Sequence, residues 1–194
     1  MEEPASLPTH PSLSFSSSRG DRGLRALVTK LVRGGIKPTL PAPWYWRLLA
    51  SRVGYFDADG RFVKQWGGRG ALPWQFEVAH SIVIDSSGLL YVADRENRRI
   101  VVFDQDGEFV KGWVYRGLVC SLALGADGSL YMTSGFDGQI TKLDANGRVL
   151  GVTGRPGSGP NEYGEAHDLA VARDGSIYVT DVINKRLTKL VPTR

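Results

Sequence analysis

The stretch His80–Gly107, HSIVIDSSGLLYVADRENRRIVVFDQDG, decides the fold, because the chain contains it more than once. Cys120–Gly147 reads CSLALGADGSLYMTSGFDGQITKLDANG and His167–Val191 reads HDLAVARDGSIYVTDVINKRLTKLV; the three align without an internal gap. Gly88, Gly128 and Gly175 correspond, as do Tyr91, Tyr131 and Tyr178, and Ile100, Ile140 and Leu187. A shorter copy, SRVGYFDADGRFVKQWG from Ser51, matches only the tail of the unit. It brings Asp59-Gly60 into register with Asp106-Gly107 and Asn146-Gly147.

Each unit reads as short strands separated by tight turns. Ile82/Ile84 and Leu169/Val171 alternate with a period of two, and Ser87-Gly88, Asp127-Gly128 and Asp174-Gly175 are hairpin signals. Leu90-Tyr91-Val92 and Ile177-Tyr178-Val179 form the next strand, and an Asp-Gly or Asn-Gly pair ahead of Phe109 or Val149 turns the chain again. The units start 40 and 47 residues apart, the repeat length of a four-stranded propeller blade. The fold class predicted is all-β: a partial β-propeller of about three and a half blades over residues 51–194.

Residues 1–50 have a different character. Residues 4–20 are rich in Pro and Ser with no apolar period, which predicts disorder. Leu24, Leu27, Val28, Leu31 and Val32 behind Asp21 predict an amphipathic helix at 22–33, ended by Gly34-Gly35. Its basic flanks suit a docking helix, a membrane-surface element or an organelle transit peptide, although Glu2 and Glu3 argue against the last. The same acidic start, with no apolar h-region behind it, gives no secretory signal, and no run is apolar enough for a membrane span. The net charge of +4 is confined to this leader; residues 51–194 hold Lys/Arg and Asp/Glu in equal number. The repeat region therefore offers no net-charge argument for a nucleic-acid partner. One Cys excludes an internal disulfide framework.

Two of the three histidines, His80 and His167, occupy one repeat position at the start of a blade's innermost strand, two blades apart. Such positions face the axis of a propeller. Neutral imidazoles there suit zinc, while capping of a strand end is the structural alternative. The separation of two blades predicts ring nitrogens too far apart to chelate without a third arm. Cys120 holds the same position in the intervening blade, as a soft ligand or, more simply, a small core filler. Asn97 and Arg99, mirrored by Asn184 and Arg186, read as blade structure, and Trp66, Trp74 and Trp113 as packing residues at blade junctions.

The Gly turn, the LYVAD strand, N-x-R-I and V-F-D-x-D-G together resemble the NHL repeat of six-bladed propellers. SRVGYFDADGRFVKQWG, VAHSIVIDSSGLLYVADRENRRIVVFD and EAHDLAVARDGSIYVTDVINKRLTKL resemble, more narrowly, the C-terminal half of the peptidyl-α-hydroxyglycine α-amidating lyase (peptidylamidoglycolate lyase) family and its bacterial relatives. That resemblance implies zinc-dependent cleavage of a peptide ending in α-hydroxyglycine to a peptide amide and glyoxylate. It implies that His80 and His167 are two of three zinc ligands, that Asp168 serves a structural calcium, and that Arg95 faces the substrate carboxylate. The local alternatives are a strand-end turn for Asp168 and an ion pair with Asp94 or Glu96 for Arg95. The family's third histidine falls upstream of Met1, and its tyrosine position falls at Leu48, with Tyr45 out of register. The expectation is thus an incomplete copy, weakly active or inactive alone and prone to self-association through open blade edges. The alternative is a non-catalytic NHL scaffold for protein interaction.

Overall fold

The computed structural model of the chain describes residues 15–18, 44–48, 51–57 and 59–193. Its strands, in chain order, begin with β1 (Phe15–Ser18), β2 (Trp44–Leu48), β3 (Arg52–Asp57) and β4 (Phe62–Gly67). The second blade is β5 (Ala79–Ile84), β6 (Leu90–Asp94), β7 (Arg99–Phe103) and β8 (Phe109–Val114). The third is β9 (Ser121–Leu124), β10 (Leu130–Thr133), β11 (Ile140–Leu143) and β12 (Val149–Thr153). A two-residue parallel ladder, β13 (Arg155–Pro156) with β14 (Glu162–Tyr163), leads to β15 (Ala166–Val171), β16 (Ile177–Asp181) and β17 (Arg186–Pro192).

The main sheets are antiparallel and ordered β2-β3-β4, β5-β6-β7-β8, β9-β10-β11-β12 and β15-β16-β17-β1. The repeat reading of three full blades and part of a fourth holds. Within the Pro/Ser-rich segment 4–20, Phe15–Ser18 pairs antiparallel with Lys189–Pro192, and the rest of that segment lies outside the described residues. The physical reason is the outer edge of β17: its row of unpaired backbone groups takes up a strand whatever that strand's side chains. The helix expected at 22–33 lies outside the described residues. Among the described residues no helix is long and apolar enough to cross a membrane.

Turn chemistry explains why these strands stop where they do. Asp57, Asp85, Asp104 and Asp144 each accept the backbone N–H groups two and four residues on. The glycine three residues after each carries the positive φ that closes the hairpin. At Gly107 and Gly147 a second constraint acts. Trp66 and Trp113 of the preceding blade lie over them, and a Cβ at Gly147 would come within 2.3 Å of the indole. Trp66 and Trp113 are therefore junction residues, as expected. Trp74 is not: it is exposed on the loop ahead of β5.

Three apolar layers fill the blade junctions. Val53, Phe76, Leu90, Val92 and Phe103 bind the first blade to the second. Tyr91, Ile100, Val102, Leu122, Leu130 and Met132 bind the second to the third. Tyr131, Ile140, Tyr163, Leu169, Ile177 and Leu190 bind the third to the last. The period of two sends alternate residues of one strand into different layers, so each blade is glue for both neighbours.

A polar clamp repeats as well. Asp94 is fully buried and accepts from Glu77 N, Asn97 Nδ2 and Arg99 Nε, while Arg99 donates to the carbonyls of Ala71, Leu72 and Gln75. Asp181, Asn184 and Arg186 rebuild this in the last blade on the carbonyls of Ser158, Gly159 and Glu162. The mirrored Asn and Arg are thus structural: they tie each blade's inner corner to the loop arriving from the blade before.

Candidate functional site

Strands β5, β9 and β15 are the innermost of their blades, and β9 lies against both of the others. His80 and His167, second in β5 and β15, and Cys120, just ahead of β9, thus lie at one end of the arc. At the same end lie the loops that follow β6, β10 and β16, since Ala79 pairs with Asp94 and Ala166 with Asp181.

The two histidines meet. Their ring centroids are 4.9 Å apart in an edge-to-face arrangement. Both rings thus lie at the inner edge of the arc, and their centroids stand closer than a separation of two blades leads one to expect. Innermost strands converge so strongly that one intervening strand separates the rings by no more than a contact distance.

His80 Nδ1 lies 2.6 Å from the carbonyl oxygen of Cys120. A carbonyl only accepts, so Nδ1 carries the proton and Nε2 keeps its lone pair. Burial pushes the imidazole below its usual range, and the neighbouring His167 and Arg95 reinforce this. The hydrogen bond to Cys120 and the charge of Asp168 oppose it without prevailing. His80 is therefore a neutral imidazole with a fixed tautomer, the form that ligates metals.

Around the pair runs a polar network. Asp168 Oδ1 accepts from the Ser121 hydroxyl and from Leu169 N. Thr133 Oγ1 donates to the His167 carbonyl. Ser81 Oγ accepts from Leu122 N in the next blade, as Ser121 Oγ does from Leu169 N. The residue after the axial position thus links successive blades, and Asp168 holds that place in the last one. Its carboxylate is more than a strand-end turn: it is buttressed by a hydroxyl from the third blade.

Arg95 reaches the same region. Its Nη1 pairs with Glu96 at 2.6 Å, its Nη2 with Glu165 at 3.6 Å, and its Nε lies 3.4 Å from Cys120 Sγ. The sequence alternative of a pair with Glu96 is present, whereas Asp94 is taken by Arg99. Cys120 is fully buried, and burial pushes its thiol pKa up, so it is a small neutral core residue that also accepts from Arg95.

Glu165 was not singled out from sequence, although a signal existed. Val78 and Leu118 hold its repeat position in the other blades. A carboxylate stands where the repeat calls for an apolar residue, and it is buried. The loops on this end also display Phe136, Val182 and Ile183, all exposed.

Among the described residues no group of three His, Cys, Asp or Glu is arranged to hold a metal ion. His80 and His167 are side chains of the donor type that zinc takes, two where a catalytic zinc uses three protein ligands. Asp168 brings one carboxylate, with one oxygen already engaged, toward a calcium that prefers six to eight oxygens.

The family model for the NHL repeat matches residues 76–103. The fold is similar to that of virginiamycin B lyase from Staphylococcus aureus, with a TM-score of 0.57 and 15% identity, covering 76% of this chain and 52% of that one. It is similar also to the WD40 β-propeller domain of Doa1, with a TM-score of 0.62 and 14% identity, covering 78% and 47%. A streptogramin B lyase structure matches with a TM-score of 0.53 and 16% identity, covering 77% and 61%. The chain spans about half the length of the solved structures it matches. At these identities the likeness is one of fold: an arc of β-propeller blades carrying an NHL repeat.

Proposed function

We propose that His80, His167 and Arg95 belong to a zinc-dependent lyase site that cleaves a peptidyl-α-hydroxyglycine to a peptide amide and glyoxylate. The observation that carries this reading is the meeting of two imidazoles 4.9 Å apart at equivalent blade positions, one of them neutral with its tautomer fixed by a carbonyl. Imidazole nitrogen is a right donor for zinc, and a catalytic zinc takes a third protein ligand, which here would come from outside the described residues. Zinc bound there would supply Lewis acidity toward the substrate hydroxyl. Arg95 would hold the glycine carboxylate through its guanidinium fork. Asp168 would contribute one oxygen to a calcium completed by other ligands. Phe136, Val182 and Ile183 would receive the peptide body.

A second reading is favoured by one observation. Arg95 is already engaged by Glu96 and Glu165, and the loops beside it are apolar and exposed, as a non-catalytic interaction propeller would have them. Metal titration separates the two. With cobalt as a spectroscopic stand-in for zinc, the lyase reading expects visible-band binding at one ion per chain, lost in His80→Ala and in His167→Ala. Glyoxylate release from a hydroxyglycine-extended peptide would then be measured with zinc present. Metal uptake indifferent to both substitutions would leave the scaffold reading in possession.

A further inference from the structure

We propose that Glu165 is a specificity-determining residue of the axial site, an internal competitor that occupies Arg95 until a ligand supplies both a carboxylate and an adjacent hydrogen-bond donor. The inference rests on the reading of Arg95 as the carboxylate anchor.

The geometry is specific. Glu165 stands just ahead of β15, two residues before His167, where the β15–β16 pairing shifts register between Ala166 and Asp168. Its backbone is pinned, with its N–H donating to Asp181 and its carbonyl accepting from Val182. The carboxylate reaches back across the third blade to Arg95, 3.6 Å away, and both side chains are mostly buried. A surface pair of this length would contribute little. Here, however, both side chains are largely withdrawn from water, and Cys120 and Glu96 complete the setting of the guanidinium.

A ligand carboxylate that takes Arg95 must part it from Glu165. A buried carboxylate left without a partner is costly, more so than the pair itself is stabilising. The exchange is therefore favourable only when the ligand also offers Glu165 a donor. An α-hydroxy acid does so, because its hydroxyl lies one carbon from its carboxylate. A simple monocarboxylate does not. The site thus selects against bare carboxylates by leaving a polar group unsatisfied, a strong form of discrimination. Glu96 cannot play this part, since it is exposed and water satisfies it when it is displaced.

The test uses the full chain with a chelator present, so that metal does not enter. Glycolate and acetate are the probes, with affinities read by ligand-observed NMR titration. Wild type is expected to bind glycolate at least about tenfold more tightly than acetate. Glu165→Gln should raise acetate binding and shrink the ratio to about twofold, because Arg95 is released while the shape is kept. Glu165→Val, which installs the residue of the second blade at this position, guards against a folding artefact and should give the same collapse. Circular dichroism checks that both variants keep their strands. Equal binding of the two probes by wild type, or an unchanged ratio in both Glu165 variants, overturns the proposal. Arg95→Gln separates it from the reading beneath. If glycolate binding survives that substitution, the carboxylate-anchor reading fails and this proposal with it. If binding is lost in Arg95→Gln yet the Glu165 variants leave the ratio unchanged, only the role of Glu165 fails.

Discussion

Strand β6 of the second blade and strand β16 of the last blade are the same element of the repeat, yet they live in different surroundings. Every residue of Leu90–Asp94 is buried, whereas Ile177–Asp181 alternates between buried and half-buried. The sequences LYVAD and IYVTD hardly differ. What differs is the neighbour: among the described residues β6 has a blade on each face and β16 has one. A blade's apolar residues are thus written for two partners, and a blade given one keeps half of its intended burial.

The largest test of that contrast is at the matched tyrosines. Tyr91 is buried, stacks on Trp113 and donates to Asp85 at 3.0 Å. Tyr178 is half-buried, with the Lys189 ammonium over its ring. Tyr91→Ala should lower unfolding stability in urea by about 3–5 kcal/mol, and Tyr178→Ala by about 1 kcal/mol. Equal losses would mean that the open face of the last blade is covered in solution.

A smaller difference is expected at the clamps. Arg99 and Arg186 meet buried aspartates, but the side chain of Arg99 is 14% exposed and that of Arg186 is 32%. Asp94→Asn leaves a buried guanidinium without its counter-charge and should cost about 2–3 kcal/mol. Water reaches Arg186 more easily, so Asp181→Asn should cost about 1–2 kcal/mol. Hydrogen exchange at Glu77 and Glu165, whose amides the two aspartates hold, would localise each loss.

The same argument predicts association. Half-buried residues on the outer side of β15, β16 and β17 form a face shaped for another blade. Sedimentation velocity of the 194-residue chain should show concentration-dependent self-association, weakened by Tyr178→Lys. A monodisperse monomer across concentrations would break this expectation.

The blades were legible because repetition multiplies weak signals. One Asp-x-x-Gly turn means little, but three in register, at Asp57, Asp104 and Asp144, with matching apolar alternation fix a fold. The convergence of His80 and His167 was legible as a direction and not as a distance, since spacing says which way a side chain points and not how far strands close at an axis. Phe15–Ser18 was illegible, because its pairing depends on the exposed edge of β17 and not on its own residues. Glu165 was legible only by asking which repeat position breaks pattern, a question that the search for ligand types passes over. Arg95 shows the limit from the other side: its residue type gave a role, but its partners in another blade decide whether that role is open.

The finest test concerns acid. Burial alone would raise the pKa of Asp181, but hydrogen bonds from Glu165, Asn184 and Gly164 outweigh it and hold the carboxyl below its usual value of 3.8. In the unfolded chain those bonds are gone, so the unfolded state binds the proton more readily. Stability from this group is therefore fully present above about pH 4 and is lost as pH falls through the lower folded value. Asp85, Asp127 and Asp174 are held low in the same direction, so the whole chain should lose stability in that window. Asp181→Asn removes one contributor without touching the rest. Its urea midpoint should lie below wild type at pH 7 and approach it as pH falls through the depressed folded value, where the wild-type carboxyl takes up its proton. A gap that stays constant as pH falls through that value would show that the last blade's clamp acts through shape and not through charge. The asymmetry between Arg99 and Arg186 would then have another cause.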